Sequence, residues 1–495
     1  MQFTKTTGNA ARVLACLLAS SAFGAATAAT TITVAPGQSI QSAVDKAGPG
    51  DTVRVLAGTY TQKVLIKDKA GTAAAPILIK ADANVTLSGQ GLQPAGREGL
   101  ITIRNSTHVR VEGFEVANFV GSGSKTPVGI LIEGNGANLQ IVGNKIHDIK
   151  NTSTCKRPCS TGAHGLAVFG KNATGVTDLL LQNNEVYLNV LQSSEAVVIN
   201  GNVDRFEVLG NHVHDNNNIG FDFIGYEGEC SGCGESDRAR NGIVRGNRSL
   251  NNTSSKNPWY GGEGSAGGFY VDGGRNIIFD GNVSSGNDIG FEFASEHGGK
   301  ATEDILMTNN VVYKNREAGL SVGGYSSDEG QARRIVVNNN SFYKNQGWGG
   351  EITFQFKVIN SRFANNVIFA KGSAADTDTY DVEGSGNTGN VWGSNLWWNT
   401  NMSASSLPGT RVSADPRFVA PDSGNLNLQA TSPAINAGTV GAPLTGWTSP
   451  LFTRYFPSGS IPANGLTDIN GQARIENSMI DLGADEYGTT PAASR

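Results

Sequence analysis

Charge is scarce in this sequence: Asp, Glu, Lys and Arg make up 16% of 495 residues, and the 38 basic residues do not exceed the 43 acidic ones. A nucleic-acid partner needs a basic face, so that class is excluded. No Ala, Leu, Glu and Lys-rich stretch suggests a helical body. Beyond the first residues no apolar run reaches the ~20 residues of a membrane span. Cysteine is also rare, at 5 residues, while Gly reaches 65 and Asn is abundant. Many turns and few helices imply an all-β protein.

The N-terminus reads as a secretory leader. Lys5 and Arg12 precede the apolar run from Val13 to Phe23, and small residues end at Ala26-Thr27-Ala28. Cleavage is expected after Ala28, giving a secreted or periplasmic protein with no membrane span. The formal charge of −5 then becomes about −7, because Lys5 and Arg12 leave with the leader. Cys16 leaves too; most of the apolar run follows it, which argues against a lipidated cysteine. Cys155, Cys159, Cys230 and Cys233 remain. An even number in an exported chain points to disulfides, with four zinc ligands as the alternative, and the pairing is open.

From Val128 onward one unit recurs: a strand led by Gly or Ala, a connection, a strand ending at Asn, and a third strand. The Asn falls at 144, 184, 211, 247, 282, 310, 340 and 366, at intervals of 40, 27, 36, 35, 28, 30 and 26 residues. A base period in the twenties with insertions is the mark of a β-solenoid of about ten rungs, whose insertions become loops. The Asn itself suits a left-handed corner and side-chain stacking along the ladder, a structural role. Ser39 precedes Ile40, Ala43, Val44 and Ala47, a short amphipathic helix placed to cap the first rung. The expected division is a leader over 1–28, a solenoid over 29–400, and C-terminal rungs with a closing segment over 401–495 packed on it. A monomer is expected.

Residues 36–60, PGQSIQSAVDKAGPGDTVRVLAGTY, resemble the opening of right-handed parallel β-helix proteins such as the pectate, alginate and chondroitin lyases. ADPRFVAP (414–421), SPAINAG (432–438) and IDLGADEY (480–487) resemble the closing segment of the same superfamily. The resemblance implies a right-handed coil and a carbohydrate-active function.

Aligning the first strands on their leading small residue (GILIEG, GLAVFG, AVVING, GFDFIG, GFYVDG, GFEFAS, GLSVGG, EITFQF) turns positions two and four inward and three and five outward. Asp222, Tyr270, Asp272 and Glu292 then share one outward patch on three consecutive rungs. With strands ~4.8 Å apart, Asp222 and Glu292 have backbones roughly 10 Å apart, and Asp272 lies roughly 8 Å from each. Long connections at 149–163, 226–240, 251–267 and 296–303 flank the patch. They bring Glu227, Glu296, His297 and Lys300 to one side and Trp259 and Tyr260 as sugar-stacking rings. Asn200 and Arg316 complete the candidate binding set.

Two chemistries fit. Asp222, Asp272 and Glu292 can hold calcium, which binds an acidic glycan while a base starts β-elimination; this polysaccharide lyase is the favoured expectation. The resemblance implies a basic residue on or beside the first sheet. Positions 200 and 224 are Asn and Ile, so Lys300, Arg275 or Arg316 must supply it from loops. Alternatively two of the carboxyls act as acid and base of an inverting glycoside hydrolase. The third expectation is a non-catalytic carbohydrate-binding surface protein.

Overall fold

Short alternating segments separated by left-handed corners wind the chain into a right-handed parallel β-helix with three strands per turn. The computed structural model describes residues 29–372 and 379–488, so the expected leader lies outside the described residues. Sheet I runs from Val64–Lys67 to Tyr380–Val382 and contains the strands His164–Gly170, Val197–Gly201, Phe221–Ile224, Gly267–Asp272 and Ile289–Ala294. Sheet II starts at Thr31–Val34 and ends at Val391–Trp392. Sheet III stacks 13 strands from Gly58–Tyr60 to Arg411–Val412. Sheets I and II share one hydrogen-bonded array, because Arg97–Thr107 and Thr126–Ala137 carry their pairing round the corner between them.

Alternation fills the interior. Ile130 and Ile132, Leu166 and Val168, Val197 and Ile199, Phe221 and Phe223, Phe269 and Val271, and Phe291 and Phe293 all point into one continuous core. Phe221, Phe269 and Phe291 stack face to face at 4.9 and 4.7 Å, one per turn. Each buried ring contributes roughly 1.5–3 kcal/mol, but only because its neighbours above and below remove it from water.

The corner between sheets II and III divides labour differently from expectation. The left-handed backbone belongs to the residue before each repeating Asn: Gly143, Asn183, Gly210, Gly246, Gly281, Asn309, Asn339 and Asn365 all have φ between 53° and 65°. Gly and Asn tolerate that region best. The repeating Asn turns inward instead and forms an amide ladder. Asn144 Nδ2 donates to Asn184 Oδ1 at 3.0 Å, and the pattern continues through Asn211, Asn247, Asn282, Asn310, Asn340 and Asn366 to Asn395. A second ladder links Asn189, Asn216, Asn252 and Asn287 at the next corner.

The ends are closed by covering their strands. Ser39 caps helix Ile40–Lys46, whose Ile40, Ala43 and Val44 seal the first turn. Near the other end, Phe418–Ala420 pairs antiparallel with Asn425–Leu428, and Leu426, Leu428, Ala434, Leu482 and Ala484 pack on sheet III against Val311, Tyr343, Val367 and Leu396. Helix Pro450–Tyr455 lays Leu451 and Phe452 on Ile243, Ile278 and Leu306 of sheet II. The tail therefore covers sheets II and III, and the outer face of sheet I near the middle of the coil is left to its own loops.

Candidate active site

The register of sheet I sets the floor. Val198, Asp222, Tyr270 and Glu292 follow one another in one outward column, and Phe169, Asn200, Ile224 and Asp272 in the column two residues further on. A third column was not apparent in the alternation. The leading Gly of each strand folds its Cβ direction inward: a Cβ on Gly165 would lie 2.4 Å from Val186, and one on Gly129 2.4 Å from Ile146. The chain kinks there, and the residue before the small one faces the cleft. This brings in His164 and Glu195.

Four loops roof the floor. Cys155 pairs with Cys159 and Cys230 with Cys233, so each disulfide tightens its own loop. Trp259 Nε1 donates to the carbonyl of Cys159 at 3.0 Å, tying the 149–163 loop to the 251–267 loop. Asn257 caps the turn Pro258–Tyr260 and donates to the carbonyls of Gln192 and Asn217, presenting Trp259 and Tyr260 to the cleft. Asp288 holds the same loop by accepting from Ser254, Thr253 and Ala266.

The enclosed space is about 460 Å³. Asp222, Asp272, Tyr270 and Asn200 line its floor; His164 and Glu195 one side; Glu227, Glu296, Trp259, Tyr260 and Tyr325 the walls. The outward patch is thus covered: Asp222, Tyr270 and Asp272 are only 3, 6 and 4% exposed. Glu292 stands one turn further along, beside Tyr270 in register. His297 reaches the wall through Glu227, 3.3 Å away.

Lys300 and Arg316 are not among the residues lining this space. Lys300 donates to Glu235 at 3.1 Å and lies over the Tyr226 ring, bracing the 226–240 loop. Arg316 lies 3.7 Å from Asp288, and Arg275 3.7 Å from Glu303. One cation that does line the cleft is Arg97, which sequence reasoning missed. Its guanidinium is bidentate to Glu229 at 2.6 and 2.9 Å and stacks over Phe169. Arg157, also in the lining, pairs with Glu263.

Buried carboxyls therefore crowd together, and neither Asp222 nor Asp272 is held in a salt bridge. Burial, and then the charges of Glu195, Asp272, Glu296 and Glu292, hold the Asp222 carboxyl well above the usual range. Burial and Glu296 do the same to Asp272. Burial pushes Glu195 and Glu292 up to about 8. His164 is driven the other way, to about 3, by burial and by Arg97. It is a neutral imidazole whose Nδ1 lies 3.1 Å from the Glu195 carbonyl.

Hydrogen bonding separates the two aspartates. Asp272 Oδ1 accepts the backbone N–H of Glu296 at 2.7 Å. Asp222 Oδ1 has no partner, and neither has Asn200 Oδ1 nearby. Tyr270 donates to Glu296 at 3.2 Å, and Asn218 donates to the Tyr260 hydroxyl at 3.1 Å.

As a cation site, Asp222, Asp272 and Glu292 do not converge. In the cleft the described residues whose ligand atoms lie within 4.8 Å of one another are Glu227, Asp272 and His297. An imidazole in that set fits a borderline ion better than calcium, which takes oxygen ligands.

No family model matches the chain. Among solved structures it is similar to pectate lyase Pel9A, at 16% identity over 92% of this chain and 96% of that one with a TM-score of 0.46. It is also similar to the PL6 family alginate lyase AlyGC, at 15% identity over 81% and 55% of the two chains with a TM-score of 0.49. Over 362 residues it is 34% identical to the uncharacterized protein YwoF of Bacillus subtilis (strain 168), an overlap covering 72% of this chain and 75% of that protein. The chain belongs to the family of YwoF.

Proposed function

We propose that this protein is an exported carbohydrate-active enzyme that hydrolyses a glycosidic bond in the sheet I cleft by carboxyl acid–base catalysis. The observation that carries this reading is the pair Asp222 and Asp272: adjacent in the stack, buried, in no salt bridge, and unlike in hydrogen bonding.

Two titratable groups whose surroundings separate their protonation states are the usual basis of an acid and a base. Asp222, with an unpartnered oxygen, keeps its proton and gives it to the departing glycosidic oxygen. Asp272, also raised by burial but steadied by the Glu296 N–H, is the member of the pair that ionises first, and as a carboxylate it takes a proton from the attacking water. One turn and two residues separate their backbones, roughly 8 Å by strand geometry, which leaves room for a water between the two carboxyls as inversion needs. Trp259, Tyr260 and Tyr325 offer ring faces to a pyranose. Glu292, once it ionises near pH 8, opposes loss of the Asp222 proton.

Elimination from a uronate needs its carboxylate neutralised, whereas this floor is acidic. That favours a neutral glycan. A second reading, cation-assisted elimination of an acidic glycan, is supported by Glu227, Asp272 and His297, which could hold an ion beside the floor.

The test is to incubate the mature protein with neutral glycans, pectate, alginate and glycosaminoglycans, with calcium, zinc or chelator, scoring reducing ends and ultraviolet-absorbing unsaturated products separately. Reducing ends alone support hydrolysis. Unsaturated products abolished by chelator support the second reading. Binding without any turnover across the panel refutes both in favour of a carbohydrate-binding protein.

A further inference from the structure

A second group of ligating side chains stands on the outer face of sheet III, away from the cleft. The strand His212–His214 presents both imidazoles on one side, because residues two apart in a strand share a face, while Val213 between them is buried. Glu185, one turn earlier, is in register with His212. One ligand atom from each of Glu185, His212 and His214 lies within 4.8 Å of the other two.

The hydrogen bonding around them is incomplete in a directional way. His214 Nδ1 lies 2.7 Å from Asp215, and its Nε2 lies 3.4 Å from Glu185 Oε1. With Asp215 accepting the Nδ1 proton, Nε2 turns its lone pair toward a carboxylate, so two acceptors face each other. His212 Nε2 is buried and has no hydrogen-bond partner. The two histidine rings stack at 4.1 Å and Tyr187 stacks on His214 at 5.1 Å, which limits their rotation.

We propose that Glu185, His212 and His214 bind a divalent transition-metal ion such as zinc, with Asp215 positioning His214. Two imidazoles and one carboxylate suit zinc, nickel or copper, whereas calcium prefers an all-oxygen shell. A carboxylate on the far nitrogen of a ligating histidine is the common outer partner of such ions. Lys145 lies 3.5 Å from Glu185 but is 62% exposed, free to yield the carboxylate. The side chains of Glu185 and His214 are 34 and 17% exposed, which leaves the ion open coordination positions toward solvent. The ion ties two successive turns together outside the core.

The test is calorimetric titration of the tag-free mature protein with zinc near neutral pH, with cobalt spectra in parallel and circular dichroism on every variant. We expect one site that survives in an Asp272→Asn/His297→Asn double variant, which removes the cleft group. His212→Asn and Glu185→Gln should each weaken it at least ten-fold, and Asp215→Asn by about 10- to 100-fold. Cobalt should give visible bands that are lost in His212→Asn. Should His212→Asn fail to fold, Glu185→Gln alone decides the matter. The proposal is overturned if folded Glu185→Gln binds zinc like the parent. It is equally overturned if the parent binds none.

Discussion

Replacing Glu195 by Gln should stabilise the protein in a way that depends on pH. Its side chain is 13% exposed, beside His164, and burial with the charges of Glu227 and Glu296 raises its pKa from 4.5 to about 8. The folded state therefore holds a proton that the unfolded chain has released. Relative to unfolding, the contribution is intact below about 4.5 and is lost as pH rises through about 8. At about 1.4 kcal/mol per pH unit, the parent forfeits on the order of 3 kcal/mol by pH 7. Gln cannot ionise and escapes that loss.

The expected signature is a difference between parent and variant that is near its minimum at pH 4.5, grows by roughly 3 kcal/mol at pH 7, and levels off above pH 8. In melting temperature this is a few degrees on a domain of this size. Thermal scans by circular dichroism at one fixed scan rate measure it, because comparing the same pair of proteins across pH cancels any change in packing or hydrogen bonding caused by the amide. A difference that is the same at every pH would refute the argument. Scans with zinc or chelator extend it: an ion held at Glu227, Asp272 and His297 would flatten the slope of the parent.

In the catalytic reading, Asp222→Asn and Glu292→Gln each lower turnover, by about 10²- to 10⁴-fold for the acid Asp222, without lowering the melting temperature; full activity in both variants would remove the site assignment. The same raised pKa values place the alkaline limb of the kcat/KM profile above the ordinary carboxyl range, since activity needs the protonated acid and is lost as pH rises; a profile that falls between pH 4 and 5 would contradict this. In the corner ladder, Asn282→Ala removes bonds to Val244, Asn310 and Asn247 in the interior and should cost roughly 3–5 kcal/mol, measured as a lower melting temperature.

The coil was legible in the sequence because its two strongest signals are forced by packing. Phe221, Phe269 and Phe291 recur at the position that must face the core, and an Asn recurs where an amide can satisfy both neighbours along the stack. The division of that corner between a left-handed residue and a stacking residue was not legible. In NN pairs such as Asn309-Asn310 the two roles carry the same letter, and the GN pairs at Gly143, Gly210, Gly246 and Gly281 were the clue. Asp222, Tyr270, Asp272 and Glu292 could be placed from strand register alone. Lys300 and Arg316 could not, because loop side chains go to the nearest partner, here Glu235 and Asp288, and alternation says nothing about loops.

Glu195 and His164 were hidden for a different reason, which also bears on how the cleft works. Strict alternation puts the residue before the leading Gly or Ala on the inside, yet the contacts a Cβ at Gly165 would make show that the small residue itself occupies the inward direction. Only a small residue lets the backbone kink there, so the Gly or Ala column that defines the turn also aims its predecessor outward. Most turns place an apolar or small residue in this third column: Val128, Ile219, Gly267, Ile289 and Ala318. Two adjacent turns instead carry His164 and Glu195, beside the carboxyl patch and under the same roof. At this position, which the fold otherwise reserves for inert side chains, the charge that Glu195 acquires as pH passes about 8 opposes loss of the Asp222 proton. Glu195 therefore tunes the proton of Asp222, and its replacement by Gln should move the alkaline limb of the activity profile to lower pH while the folded protein becomes more stable.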